Sequence, residues 1–251
     1  MRIFAISDLH IDYEANEEWV NQLSRDDYQE DVLILAGDLT DRLTLLGRAF
    51  EKLRSCFKTV LYVPGNHELW VLRSGEKSSF EKFERISDLA WNTGITMSPM
   101  QFGKITIVPL FSWYDYSFGE SSEYLRDHWM DYHACNWQGC SDPQVSQYFL
   151  DKNNSRLQIK NEKIISFSHF MPRIDLMPGY IPAIHKALYP VLGSYAIDQQ
   201  LRQLQSSMHI YGHSHFNIRK AVDGVTYINN AYGTPNETRI SAKKLLCVGT
   251  C

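Results

Sequence analysis

No apolar run in this 251-residue chain approaches the roughly 18 to 20 residues that a membrane helix requires, so a soluble protein with no membrane partner is expected. Cysteine is scarce: Cys56, Cys135, Cys140, Cys247 and Cys251 form an odd, scattered set. That argues against a disulfide framework and for free thiols in a reducing compartment, with the cytoplasm as the expected location. Residues Met1 to Ser7 lack the apolar core and small-residue cleavage site of a signal peptide and read instead as a first strand. Positive charge is not in surplus either. A formal net charge of -4 leaves no broad basic footprint, so duplex nucleic acid is not an expected partner. Internal repeats, low-complexity tracts and flexible linkers are also missing.

What is present is an alternation. Short runs of branched and aromatic residues at Ile3 to Ser7, Val32 to Ala36, Val60 to Val63, Ile105 to Leu110, Ile164 to Ser168 and His209 to Tyr211 read as strands. Helical spacing between them predicts helices over 16–23, 43–57, 80–91, 144–157 and 198–204. This is an α/β pattern, and the length suits one domain over 1–251 with a substantial core. Asp223-Gly224, between two extended runs, predicts a hairpin. Two stretches break the alternation. Residues 111–151 hold eleven aromatics and seven acids against Arg126 alone, and read as a cap-like insertion. Residues 171–193 carry Pro172, Pro178, Pro182 and Pro190 and read as a long ordered loop.

The chemistry gathers at strand ends. Asp8-Leu9-His10 follows the first strand, Gly37-Asp38-Leu39-Thr40-Asp41 the second, and Gly65-Asn66-His67-Glu68 the third. His169 directly follows a later strand, and Gly212-His213-Ser214-His215 another. Open α/β sheets present functional side chains beyond the carboxyl ends of their strands. Any one of these motifs is an ordinary turn, but five in succession point to a shared metal centre. Carboxylate, amide oxygen and imidazole together suit borderline divalent ions, whereas calcium would want more oxygens.

The ordered set DLH, GDLTD, GNHE, SH and GHSH resembles the calcineurin-like metallophosphoesterase superfamily over Ile3 to about Asn230. The resemblance implies a four-layer α-β-β-α sandwich of two mixed sheets flanked by helices. It implies two divalent ions (Mn2+, Fe2+/Fe3+ or Zn2+, with Mn2+ favoured), one held by Asp8, His10, Asp38 and His215, the other by Asp38, Asn66, His169 and His213. Such a pair generates a bridging hydroxide for in-line attack on phosphorus. His67 is the matching proton donor to the leaving oxygen, and the resemblance assigns Asp41 to orient its ring. Arg42 follows Asp41 as in the Ser/Thr phosphatase branch that it resembles, where the matching arginine grips the phosphate, and Arg73 and Arg173, each a few residues beyond a metal motif, are further candidate phosphate binders.

The expected activity is thus hydrolysis of a phosphomonoester or phosphodiester. The acidity of residues 111–151 favours a small molecule or nucleotide over a polyanion. A protein Ser/Thr phosphatase-like activity and a non-catalytic metal-binding scaffold are the alternatives. Protein partners are not indicated.

Overall fold

The computed structural model describes residues 1–251. In the first sheet, strands β1 (Arg2–Ile6), β2 (Val32–Leu35) and β3 (Thr59–Tyr62) run parallel, and β10 (Leu246–Thr250) adds antiparallel to the free edge of β1. β2 reads Val-Leu-Ile-Leu and is buried along its whole length, as a parallel strand covered on both faces must be. The second sheet has the parallel strands β5 (Ile105–Pro109), β6 (Lys163–Phe167), β7 (Met208–Tyr211) and β9 (Val225–Asn229). Its edges are the antiparallel strands β4 (Met100–Phe102) and β8 (Ile218–Val222). The centre of β8 exposes Arg219 and Lys220, which discourages further strand pairing at that edge. In the hairpin between β8 and β9, Asp223 and Gly224 take φ of 49° and 82°, the turn their sequence predicted.

Alternation within the second sheet sorts its side chains into two cores. Ile107, Ile165, Phe167, Ile210 and Ile228 join the main cluster with the first sheet. Val108, Ile164, Tyr211, Val225 and Tyr227 form a smaller cluster with Leu201 and Leu204. Helix α2 (Leu43–Cys56) buries Leu45, Leu46, Ala49, Phe50 and Leu53, the stripe that three-and-four spacing creates. The other flanking helices are α1 (Glu14–Gln22), α3 (Ser79–Asn92), α6 (Asp142–Lys152) and α7 (Tyr195–Gln203). No helix is long and apolar enough to cross a membrane. The chain thus builds the α/β sandwich of two mixed sheets flanked by helices.

The two irregular stretches are more ordered than their composition suggests. Within 111–151, Trp113, Tyr114 and Phe149 are fully or nearly fully buried in the main core, so much of the stretch packs inward. It also contains two short helices absent from the sequence reading, α4 (Glu123–His128) and α5 (Asp131–Ala134). The helix expected over 144–157 stops at Lys152 because buried Asn153 turns its side chain to the backbone of Phe111, accepting from its N–H (2.9 Å) and donating to its carbonyl (2.8 Å). Residues 171–193 close on themselves: Met171 accepts from Ser194 N–H (3.1 Å) and donates to Leu192 (3.0 Å).

Candidate metal centre

The two sheets meet where the motif loops leave them. Tyr232 N–H donates to Ser7 (2.8 Å) and Gly233 N–H to Asp8 (2.9 Å), while Asp8 and His10 donate to the carbonyls of Gly37 (2.8 Å) and Asp38 (3.0 Å). Buried Asn16 of α1 clamps the same junction, donating to Leu9 (2.8 Å) and Gly233 (3.0 Å). Asp8, His10, Asp38, His213 and His215 all adopt left-handed backbone, with φ from 41° to 65°. For non-glycine residues this costs about 1–3 kcal/mol each and concentrates at functional sites. Glycine is required beside them: a Cβ on Gly37, itself at φ 86°, would lie 2.6 Å from His169 Nδ1, and one on Gly212 2.7 Å from Asp8 Oδ2.

These loops bring all seven expected ligands together. Asp8, His10 and His215 converge at one point, and Asp38, His169 and His213 at another. His10 Nε2 lies 3.1 Å from His215 Nε2, which is 3.3 Å from Asp8 Oδ1. At the second point His169 Nε2 lies 3.1 Å from Asn66 Oδ1, 3.2 Å from His213 Nδ1 and 3.4 Å from Asp38 Oδ2. Asp38 also groups with His10 and His67, so its carboxylate faces both points.

The outward ring nitrogens settle which nitrogen is free to bind. His169 Nδ1–H donates to the Ala36 carbonyl (2.9 Å), His213 Nε2–H to Val191 (3.1 Å) and His215 Nδ1–H to Glu237 (2.8 Å). In the neutral ring each leaves its other nitrogen, with a lone pair, turned inward. Burial opposes charge on His169 and His215, but Asp38 and Asp8 outweigh it and raise them to about 9 and about 10. Burial opposes ionisation of Asp8 too, yet His215 holds its carboxyl down at about 2. His10 and His213, pushed to about 3 by burial and by neighbouring imidazoles, stay neutral. The carboxylates that draw protons onto two of these rings equally draw divalent cations, for which the rings must be neutral. Donor types, convergence and ring orientation therefore fit two divalent ions.

Three acids around the centre were not singled out from the sequence. Glu68, fully buried, accepts from Asp38 N–H (3.0 Å), Thr40 N–H (3.2 Å), Gly65 N–H (2.7 Å) and Leu39 N–H, tying the second motif to the third. Burial and the Asp38 charge push its carboxyl up to about 7. Glu237 fixes His215 as described. Asp131 of α5, buried, accepts from Asn66 Nδ2 (2.8 Å), Trp70 Nε1 (2.6 Å) and Trp129 Nε1 (2.8 Å). It holds the Asn66 oxygen toward His169, and Trp70 stacks on His67 with centroids 3.8 Å apart. Asp131→Ala is expected to weaken metal binding about 10- to 100-fold, the usual cost of losing a support of a metal ligand. Competition with a metal-binding dye measures it, and an unchanged affinity would remove this role from Asp131.

The remaining candidates separate. His67 Nε2 lies 3.9 Å from Asp38 Oδ2 with the ring partly exposed, beside the centre. Asp41 does not hydrogen-bond to it. Its carboxylate is taken by a bidentate pair with Arg73 (2.9 and 3.1 Å), a stronger match than a single imidazole N–H. Arg42 pairs with Asp12 (3.1 Å) and, with Arg73, lines a surface cleft of about 320 Å³. Arg173 is turned away: Asp175 (2.7 Å), Asp198 (3.7 Å) and Asp223 (2.9 Å) surround its guanidinium. Asp223 lies in the β8–β9 turn, at the opposite end of those strands from His213 and His215. Three carboxylates leave Arg173 no charge to offer a phosphate.

Comparison with known proteins agrees with this geometry. The family model for the calcineurin-like phosphoesterases matches residues 1–217. Over 128 residues the chain is 34% identical to the acyl-carrier-protein phosphodiesterase PptH of Mycobacterium tuberculosis (strain ATCC 25618 / H37Rv), an alignment spanning 46% of this chain and 38% of that protein. The fold is similar to the crystal structure of the phosphopantetheinyl hydrolase PptH from Mycobacterium tuberculosis, with a TM-score of 0.83 at 22% identity, covering 98% of this chain and 95% of that one.

Proposed function

Because the chain belongs to the calcineurin-like phosphoesterase family and is therefore a metal-dependent hydrolase of phosphoester bonds, we propose that it is a phosphodiesterase whose two ions share Asp38. The observation that carries this reading is the Asp38 carboxylate, which groups with His169 and His213 on one side and with His10 and His67 on the other. Asp8, His10, Asp38 and His215 would hold one ion, and Asp38, Asn66, His169 and His213 the other. Manganese is favoured over iron or zinc. When bound, such a pair supplies Lewis acidity at the phosphate and lowers the pKa of water to near neutrality.

The chain's own residues do the rest. His67, stacked on Trp70 and beside Asp38, gives its proton to the departing oxygen. Asp41 holds Arg73 rather than His67, and the pair orients a cation beside the second motif. Ligands come from loops of both sheets, which supports reading residues 1–251 as one functional unit. For substrate, the resemblance to PptH favours a phosphodiester joining a phosphopantetheine group to a protein over a free nucleotide.

The test begins with bis(4-nitrophenyl) phosphate. Chelation is expected to abolish its hydrolysis, and manganese to restore it better than magnesium; full activity in excess chelator would refute the two-ion reading. His67→Ala is expected to keep its metal but lose about 10²- to 10⁴-fold in kcat on phenyl esters, whose leaving group needs a proton. Esters of 4-nitrophenol should suffer less. Wild-type rates on the phenyl ester would take the proton transfer away from His67.

A further inference from the structure

Beside the proposed centre lies a cavity of about 660 Å³, within the 300–1,000 Å³ range typical of small-molecule sites. One wall is the closed loop over 171–193, which contributes Met177, Tyr180, Leu188 and Leu192; the other contributes Phe216 and Ile240. The cavity and the centre share structure. Ser214 of the lining sits between His213 and His215, and Glu237 of the lining is the acceptor for His215 Nδ1 at 2.8 Å. Leu192 directly follows Val191, whose carbonyl accepts from His213 Nε2 at 3.1 Å. A phosphate held at these ligands would have this opening within reach of one ester substituent.

Resting on the phosphoesterase reading, we infer that this cavity is the subsite for an extended, uncharged arm of the substrate, aliphatic or amide in character. Its walls are mainly apolar. Arg239 is the only arginine or lysine in the lining, so there is no clamp for the further phosphates of a nucleotide polyanion. Glu237 holds His215 and Thr234 N–H (2.6 Å) through Oε2. Tyr180, 78% exposed, would be covered by such an arm. The proline-rich loop is on this view the element that chooses the substrate, while residues 111–151 support the metal ligands through Asp131.

The experiment uses the full chain, loaded with manganese, and a series of n-alkyl 4-nitrophenyl phosphate diesters from methyl to pentyl. kcat/KM is expected to rise by about fourfold per buried methylene. In the double variant Tyr180→Ala/Ile240→Ala, taken from opposite walls, the slope should flatten while the methyl diester keeps its rate. A flat series in the wild-type protein, a slope unchanged in the double variant, or a nucleoside diester preferred over the pentyl diester would each overturn the inference. If no member of the series is hydrolysed, it is the phosphodiesterase reading that fails. The cavity is then decided by calorimetric titration of the metal-stripped protein with N-pentylpropionamide: saturable binding that Tyr180→Ala weakens supports the subsite, and no binding refutes it.

Discussion

Asp38→Ala is expected to lose both metal ions and at least about 10³-fold in kcat/KM, the largest effect of any single substitution at the centre. Losing a mere support of a ligand already costs about 10- to 100-fold in metal affinity or activity, and Asp38 acts directly on two sites at once. Its carboxylate also accepts from His67 N–H (3.1 Å), so the proton donor loses its anchor with the metals. Metal analysis after gel filtration is the direct measurement. A variant retaining two ions per chain would show that Asp38 is not the shared ligand, whatever its activity. Asp8→Ala removes a ligand of the first group only but also the acceptor of His213 N–H (2.9 Å), so it should by contrast retain the second ion with weakened affinity.

Glu68→Ala should produce the largest loss of stability. The carboxylate is the acceptor for four backbone N–H groups, from Asp38, Leu39, Thr40 and Gly65. Each buried donor left without a partner costs about 1–3 kcal/mol; with partial rehydration of the loop, a total of at least about 3 kcal/mol follows. For a chain of this size that is a fall in Tm of roughly 6 to 12 °C. Glu68→Gln keeps an acceptor oxygen but turns an amide NH2 toward further donors, so it should recover only part of the loss. Thermal melts of the metal-stripped proteins check both, and a Glu68→Ala midpoint at the wild-type value would mean that the loop satisfies its N–H groups elsewhere.

The ligands were legible in the sequence because each follows a buried hydrophobic strand. Val32 to Leu35 and Ile164 to Phe167 announce their strands by composition, and a strand end fixes where the next residues must lie. Glu237 had no such flank. It sits among Thr234, Pro235, Asn236 and Thr238, ordinary turn formers, and its place beside His215 comes only from tertiary folding. Asp131 was hidden among six other acids in its stretch, with nothing local to mark it as the one facing two indoles. Proximity in sequence misled for Arg173, which lies four positions after His169 yet is captured by acids from three elements. The resemblance pairs Asp41, the last residue of the second motif, with His67, but its carboxylate finds its partner in Arg73, 32 residues on. The short run Leu245 to Val248 shows no alternation that marks a strand; pairing with β1 makes β10 one.

That pairing has a kinetic side. β10 joins Arg2 to Thr250 and Ile3 to Gly249 across nearly the full chain, and the proposed ligands run from Asp8 to His215. Contacts so distant in sequence require large loops to be closed before any energy is returned, and they slow folding accordingly. The parallel ladder of β1, β2 and β3 needs only its intervening helices and can assemble early, whereas the GHSH segment must wait for the second sheet. The full ligand set, drawn from loops of both sheets, therefore requires both sheets to be in place.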